Sequence, residues 1–398
     1  MPNTSRKNEN ISTKPKVFVG LSGGVDSAVS AALLTSAGYD VTGVFIRIAI
    51  SGYPCPATQD RIEAMRVAAH LDIPFAEIDL SKEYEKKVFD ISMQEFARGR
   101  TPNPDALCNR EIKFGTFFEF AKSHGADFVA TGHYARVAPQ NDSLRVREFS
   151  AENSLSPRAV ALRSPSQNHS VSLREIHLLA STDENKDQSY FLWAVPQAQL
   201  SQTLFPVGGM HKPEVRALAA KFKLPNARRK DSQGLCFLGD ISLDDMLAKE
   251  VSTTPGNVLS ESGGAIGTHK GAAHYTLGQR HGFDLNIATS SEHPHFVIGK
   301  DMKANTITVS ENKFPKDAKE TRLTMVDTNW IGGAAPGEYM ARFRYRQTLI
   351  KATLVKTSEN SAEVVLHEPH YVPLGQSLVL YKEERCLGGG IIDEARIA

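Results

Sequence analysis

Cysteine is scarce in this sequence: four residues among 398, at positions 55, 108, 236 and 386, with no Cys-x-x-Cys pair and no Cys/His cluster at zinc spacing. That excludes a disulfide scaffold and a zinc ribbon. Long hydrophobic runs are missing as well. Residues 41–50 form one of the longest, and Arg47 breaks it, leaving it well short of the ~20 residues that cross a bilayer as a helix. Neither sign of charge prevails, since 46 Lys and Arg stand against 45 Asp and Glu for a formal charge of +1. A polyanionic partner must therefore be held by local patches and not by the field of the whole molecule. Residues 1–14 are polar, include Glu9 and lack an apolar stretch, so we expect a tail without targeting function on a chain that works in a reducing cytoplasm.

What is present reads first as alternation. Residues 16–21 are an apolar, β-branched run, then comes a Gly-rich turn, then a helical pattern from Val25 that Gly38 stops. Strands are expected at 41–48, 73–80 and 126–131, with helices at 59–70, 84–98 and 109–123 between them. Such βαβ units imply a parallel sheet whose ligands sit at the carboxyl ends of the strands. Residues 140–172 break the pattern with eight serines and one aromatic, Phe149, as an exposed insertion would. A strand at 174–179 and helices at 187–195 and 213–222 follow. From residue 255 the texture changes to short strands, at 295–298, 306–309, 339–346, 362–366 and 377–381, which reads as a small barrel or sandwich.

The first strand meets the first helix at Gly20, Leu21, Ser22, Gly23, Gly24, Val25, Asp26 and Ser27. Backbone N–H groups without helical partners and the positive end of the helix bind a phosphate at such a junction. Glycine allows close approach, Ser22 and Ser27 supply hydroxyls, and Asp26 can hold Mg²⁺. The loop lacks the Lys of the Walker motif, and G-x-G-x-x-G occurs nowhere in the chain. A plain glycine turn is the bland alternative. Ser22-Gly23-Gly24-Val25-Asp26-Ser27 resembles the pyrophosphate loop of the N-type ATP pyrophosphatases, which cleave ATP between the α and β phosphates and place AMP on a carbonyl oxygen. The loop by itself leaves the acceptor open.

Two thiols narrow it. Cys108 stands beside an expected helix start with Arg110 and Lys113 nearby, an arrangement that favours thiolate; Asp105 lies three residues before it. Cys236 sits between glycines 234 and 239, downstream of Arg228, Arg229 and Lys230. Either could be an inert buried cysteine. Together with the loop, however, Asn103-Pro104-Asp105-Ala106-Leu107-Cys108-Asn109-Arg110-Glu111-Ile112-Lys113-Phe114 and Gly234-Leu235-Cys236-Phe237 resemble the two cysteine motifs of the bacterial tRNA-specific 2-thiouridylase family. Thr131-Gly132-His133-Tyr134, Lys186-Asp187-Gln188-Ser189-Tyr190-Phe191, Tyr275-Thr276-Leu277-Gly278-Gln279-Arg280, Arg344-Tyr345-Arg346-Gln347 and Gly375-Gln376-Ser377 match further, so the likeness runs from Lys16 to Ile392. The serine-rich insertion, the polar tail, and Ile46 where relatives often carry methionine are the departures.

The resemblance implies a Rossmann-like parallel-sheet ATP pyrophosphatase domain over residues 15–238, a small central domain over 239–303 and a C-terminal β-barrel over 304–398. It implies ATP bound at residues 20–27 with Ile46 and Gly132 near the adenosine, and adenylation of a uridine 2-oxygen. A sulfur-relay protein or cysteine desulfurase would then load a persulfide on Cys236. Cys108 would be the partner thiol, closing a bridge to Cys236 if the persulfide attacks directly, and Asp105 the acid/base. tRNA, of the Lys, Glu and Gln type, would be contacted by His133, Lys186, Asp187, Gln188, Arg344, Tyr345 and Gln376, with Asn103, Pro104 and Asp105 at the flipped base.

Two basic stretches agree with a polyanion. Residues 340–358 carry five basic residues and no acid, and residues 212–230 carry seven against Glu214. On a strand, Arg342, Arg344 and Arg346 would share one face and Phe343 and Tyr345 the other. Solvated faces would look the same. An iron-sulfur cluster held by Asp105, Cys108 and Cys236 leaves no spacing signature and stays open. So do a 2-thiocytidine synthetase-like enzyme and a non-catalytic tRNA-binding or sulfur-carrier protein.

Overall fold

Val17, Phe18 and Val19 are all almost fully buried, because their strand lies in the middle of a sheet covered on both faces. The computed structural model describes residues 14–53, 57–139, 176–230, 243–251, 254–286 and 293–398. In chain order the first strands are β1 Lys16–Gly20, β2 Asp40–Arg47, β3 Phe75–Asp79, β4 Phe128–Ala130, β5 Ala135–Pro139, β6 Ile176–Ala180 and β7 Thr203–Leu204. Five of them form a parallel sheet in the order β3-β2-β1-β4-β7. The chain leaves β1 towards β2 on one side and later returns to β4 on the other. That puts the topological switch point, and hence the binding crevice, at the carboxyl ends of β1 and β4.

Helix α1 (Val25–Ser36) packs on one face with α2 (Ala57–His70) and Lys212–Lys221, around Val29, Leu33, Val67, Val215 and Leu218. Gly38 ends α1 with φ +85°, and its N–H donates to Thr35 O at 3.0 Å while that of Tyr39 donates to Leu34 O at 3.1 Å, satisfying carbonyls the helix leaves open. The other face carries Phe18, Val44 and Ile46 against Tyr84, Phe89, Cys108, Ile112 and Phe117.

A second sheet comprises β8 Gly256–Leu259, β9 Ala265–His269, β10 Phe283–Leu285, β11 Phe296–Asp301 and β12 Thr306–Ser310, in the order β10-β9-β8-β12-β11. The expected border at 303–304 is therefore corrected, because it falls in the turn joining β11 to β12, which pair antiparallel. The passage to the last domain lies between Ser310 and Thr321. There β13 Thr321–Trp330, β14 Gly337–Arg342, β15 Ile350–Thr357, β16 Ser361–Leu366, β17 Ser377–Lys382 and β18 Arg385–Ile397 follow. They run β13-β16-β15-β14-β17-β18, and a β13–β18 pairing closes the barrel around Leu323, Met325, Leu354, Val364, Leu378 and Leu380.

Three further expectations change. The strand near 174–179 does not extend the parallel sheet: β6 pairs antiparallel with β5 and with β18, where Cys386 faces Leu178. The first domain thus lends a hairpin to the barrel. The helix expected at 187–195 shrinks to Ser189–Leu192, because Pro196 follows closely and Asp187 binds backbone N–H groups on both sides of itself. The strand expected at 339–346 ends at Arg342, and Arg346 adopts φ +60°, so the three arginines do not share a strand face. The 140–172 insertion and the 1–13 part of the tail lie outside the described residues.

Candidate functional site: a glycine-rich loop braced from its own domain

The loop after β1 is held from behind by side chains that take its carbonyls. Asn226 Nδ2 donates to Gly23 O at 2.8 Å and Gly24 O at 3.1 Å, and Arg229 Nη1 donates to Gly23 O at 3.2 Å. With the carbonyls engaged on one side, the first N–H groups of α1, which have no helical acceptor, are left for an anion on the other. Gly23 sits at φ +76°, and a Cβ there would meet Asp60 O at 2.5 Å, so neither the conformation nor the space admits a side chain. Inside the turn, Ser27 Oγ accepts from Ser22 N–H at 3.2 Å and donates to Gly24 O at 3.2 Å.

Asp26 lies in the first turn of α1 and is held by two side chains. Lys212 Nζ lies 2.7 Å from its Oδ1 and 2.9 Å from its Oδ2, and Tyr134 OH donates to Oδ1 at 2.9 Å. Gly132, at the carboxyl end of β4, touches the loop directly: a Cβ there would stand 2.6 Å from Ser27 N. Ile46 lies near the carboxyl end of β2, 7% exposed, in the same packed cluster as Cys108. No His, Cys, Asp and Glu group of metal-binding composition occurs among the described residues.

Cys108 lies inside a helix, not beside its start. The helix begins at Pro104 rather than at 109, capped by Asn103, whose Oδ1 accepts from Ala106 N–H at 3.2 Å, and continues through a π-helical stretch, Asn109–Thr116, to Phe117–Ser123. Such wide turns accompany functional sites. Cys108 is 0% exposed, so any chemistry at its sulfur requires the residues above it to move. Arg110 binds Glu111 Oε1 at 2.9 Å and, in the barrel, Asp327 Oδ2 at 2.6 Å. Asp105 is half-buried in the first turn of the helix. Cys236 lies outside the described residues.

Lys113, on the Cys108 helix, faces His133 Nε2 at 3.4 Å, and His133 Nδ1 lies 2.8 Å from Thr131 Oγ1. An ammonium only donates, so Nε2 accepts and Nδ1–H donates to the threonine. Burial first, and Lys113 second, hold the His133 pKa well below its ordinary 6.5, so the ring is neutral. Other residues expected at tRNA are engaged internally here. Asp187 is 5% exposed and bonded to Arg342, Gln188 Oε1 accepts from Tyr134 N–H at 2.9 Å, and Gln376 Oε1 accepts from Tyr190 OH at 3.0 Å. Lys186 is half-buried. Arg344 is exposed, and Tyr345 packs against Phe191 with ring centroids 4.8 Å apart and the rings tilted by 42°.

Comparison with known proteins fits this geometry. Residues 15–240 match a family model described as the tRNA methyl transferase HUP domain, residues 244–311 its PRC-barrel domain, and residues 320–392 an aminomethyltransferase β-barrel domain. A tRNA-specific 2-thiouridylase of Nitrosomonas eutropha is 39% identical over 390 residues, covering 96% of this chain and 99% of that protein. One from Listeria welshimeri is 40% identical over 385 residues, covering 95% and 94%. The chain belongs to the tRNA-specific 2-thiouridylase family. In this chain Tyr134, Lys212, Asn226 and Arg229 supply the side-chain contacts around the loop. Sequence reasoning gave these four no role at it. The signal available was the basic stretch at 212–230, read there as a path for RNA backbone.

Proposed function

We propose that the protein is a tRNA-uridine 2-sulfurtransferase that uses ATP to replace the C2 oxygen of the wobble uridine, position 34, with sulfur. The observation that carries this reading is the braced loop: outward N–H groups, the α1 N-terminus and the Lys212 ammonium converge where the switch point of the sheet calls for a ligand. A triphosphate matches that donor set, and Ile46 and Gly132, near the carboxyl ends of β2 and β4, would meet the adenosine. Asp26 gives one carboxylate, and Mg²⁺ takes one or two with phosphate oxygens and water completing its shell, so the residues fit the ion. Bound there, it would neutralise phosphate charge, and Lys212 would then turn from Asp26 to the phosphates.

The uridine oxygen attacks the α phosphorus, the bond to the β phosphate breaks, and pyrophosphate leaves with that electron pair. The adenylated C2 now carries a good leaving group. A persulfide on Cys236, loaded by a relay protein or desulfurase, attacks C2 and expels AMP. Cys108 thiolate then attacks Cys236 Sγ, so that the thiocarbonyl departs with the electron pair and a Cys108–Cys236 bridge remains for an external thiol to reduce. Asp105 is suited to move the proton. Asn103, Pro104 and Asp105 would meet the flipped base. Arg344, Tyr345 and Lys186 would meet the tRNA, and His133, Asp187, Gln188 and Gln376 would need to leave their present partners to do so.

Unmodified tRNA with ATP, Mg²⁺ and a sulfur donor tests the proposal, with 2-thiouridine read by mass and pyrophosphate by release. Product and tRNA-dependent pyrophosphate are both expected. Cys236→Ser should stop the product while pyrophosphate release continues. Methyl transfer, the chemistry named in the family-model descriptions, would add mass to tRNA without pyrophosphate, and that outcome overturns the reading.

A further inference from the structure

The barrel enters the site through two buried contacts, each leading to a different arm of it. Arg342, the last residue of β14, is 7% exposed. Its Nη2 donates to Asp187, to Tyr381 OH at 2.7 Å and to Ser189 Oγ at 3.2 Å, and its Nε donates to Tyr381 OH at 3.0 Å. Asp187 in turn accepts from the N–H groups of Ser181 and Ser189, both at 3.1 Å. The next residue, Gln188, donates its N–H to Tyr134 O at 2.8 Å and accepts Tyr134 N–H at 2.9 Å. Tyr134 OH reaches Asp26 of the loop. The fixed guanidinium thus stands at one end of a path of hydrogen bonds joined through the Asp187–Gln188 peptide link and the Tyr134 side chain, and the glycine-rich loop at the other.

Ser377, the first residue of β17, begins the second line. Its Oγ accepts from Asn103 Nδ2 at 3.1 Å, and Asn103 caps the helix that carries Asp105 and Cys108. Tyr190 OH bridges Gln376 Oε1 at 3.0 Å and Ser377 O at 3.1 Å. Gly375 brings the barrel close enough that a Cβ would lie 3.0 Å from Arg100 Cβ and 3.3 Å from Thr101 N.

We propose that Arg342 and Ser377 are positioning residues: Arg342 sets the ATP loop through Asp187, Gln188 and Tyr134, and Ser377 sets the thiol segment through Asn103. A buried ion pair adds little net stability, but a fully satisfied network fixes one geometry. This rests on the sulfurtransferase reading, since it takes the loop as an ATP site and Cys108 as a working thiol.

The test measures two quantities in each variant without tRNA: the Kd for ATP, and the rate at which iodoacetamide alkylates Cys108, read by peptide mass. Arg342→Lys keeps a cation beside Asp187 but loses the fork. It should weaken ATP binding by about tenfold and leave alkylation unchanged. Arg342→Gln/Asp187→Asn, which leaves no buried charge alone, should do the same if the lysine variant fails to fold. Ser377→Ala should speed alkylation by about tenfold and leave the ATP Kd unchanged. Variants that match the wild type in both readouts, or that shift both together, overturn the proposal. A wild-type protein that does not bind ATP overturns the sulfurtransferase reading instead.

Discussion

Replacing Lys212 by Met keeps most of the stem and removes the ammonium that grips Asp26 at 2.7 and 2.9 Å. At an effective dielectric of about 20 the Coulomb attraction of such a pair is ~6 kcal/mol. Desolvation cancels most of it, since the two side chains are only 13% and 30% exposed, and we expect a net loss of ~1–2 kcal/mol. In a domain of this size that lowers the melting temperature by ~2–8 °C. The effect on chemistry is larger. In the proposed reaction the same ammonium faces negative charge that grows on the phosphates as pyrophosphate departs, and removing one such pre-placed donor costs ~10²–10³ in rate. Lys212→Met should therefore fold, melt slightly early and release pyrophosphate in the presence of tRNA at least a hundredfold more slowly. The assay is single-turnover release of labelled pyrophosphate, with the melt recorded on the same sample. A variant that releases pyrophosphate at the wild-type rate refutes the assignment of Lys212 to the phosphates and reduces its contact with Asp26 to a structural ion pair.

Gly132→Ala sets a Cβ 2.6 Å from Ser27 N and 2.8 Å from Asp26 C; backbone yields poorly, so a stability loss of ~1–3 kcal/mol and weaker ATP binding by equilibrium dialysis are expected. His133 stays neutral in the fold while the unfolded chain takes up a proton at that ring below pH ~6.5, so stability falls with acid by about 1.4 kcal/mol per pH unit from this group. His133→Gln should flatten that slope in urea melts between pH 6.5 and 5, and an unchanged slope rules out a neutral buried ring. Arg344, exposed beside the Tyr345–Phe191 ring pair, should shift the salt dependence of tRNA binding: Arg344→Ala is expected to lower the log–log slope by about one, and a slope equal to wild type removes its phosphate contact.

Most of the parallel sheet was legible because β1 and β4 are apolar runs and the first helix carries its own stop at Gly38, which is local information, whereas β7, two residues long, leaves no such signal. The barrel was legible only as texture. Strand β13, residues 321–330, mixes Arg322, Asp327 and Asn329 with apolar residues, because one face lines the barrel core and the other does not, and register shifts interrupt its pairing with β18. Alternation that slips at bulges has no single period to find. The hairpin of β5 and β6 escaped for a different reason: its partner, β18, lies some two hundred residues further along the chain, and nothing in either segment marks a cross-domain pairing.

At the site, residues whose role is a backbone conformation were readable, and residues whose role is set by a distant partner were not. Ser22, Gly23, Gly24 and Asp26 declare a phosphate turn by spacing within one strand-turn-helix unit. Arg342, by contrast, resembles its neighbours Arg344 and Arg346, and the sequence invites the same role for all three. What separates them is the end of β14: Arg342 still points inward to Asp187 and Tyr381, whereas Arg346, past the strand, turns to Asn185 O at 3.0 Å on the surface. Charge counting along the chain assigns a patch, but the burial of one member turns a polyanion contact into a brace. The same reasoning separates Asp187 from Lys186, adjacent in a single motif, and it accounts for a molecule whose overall charge is balanced yet whose cations gather at its loop and at its domain junction.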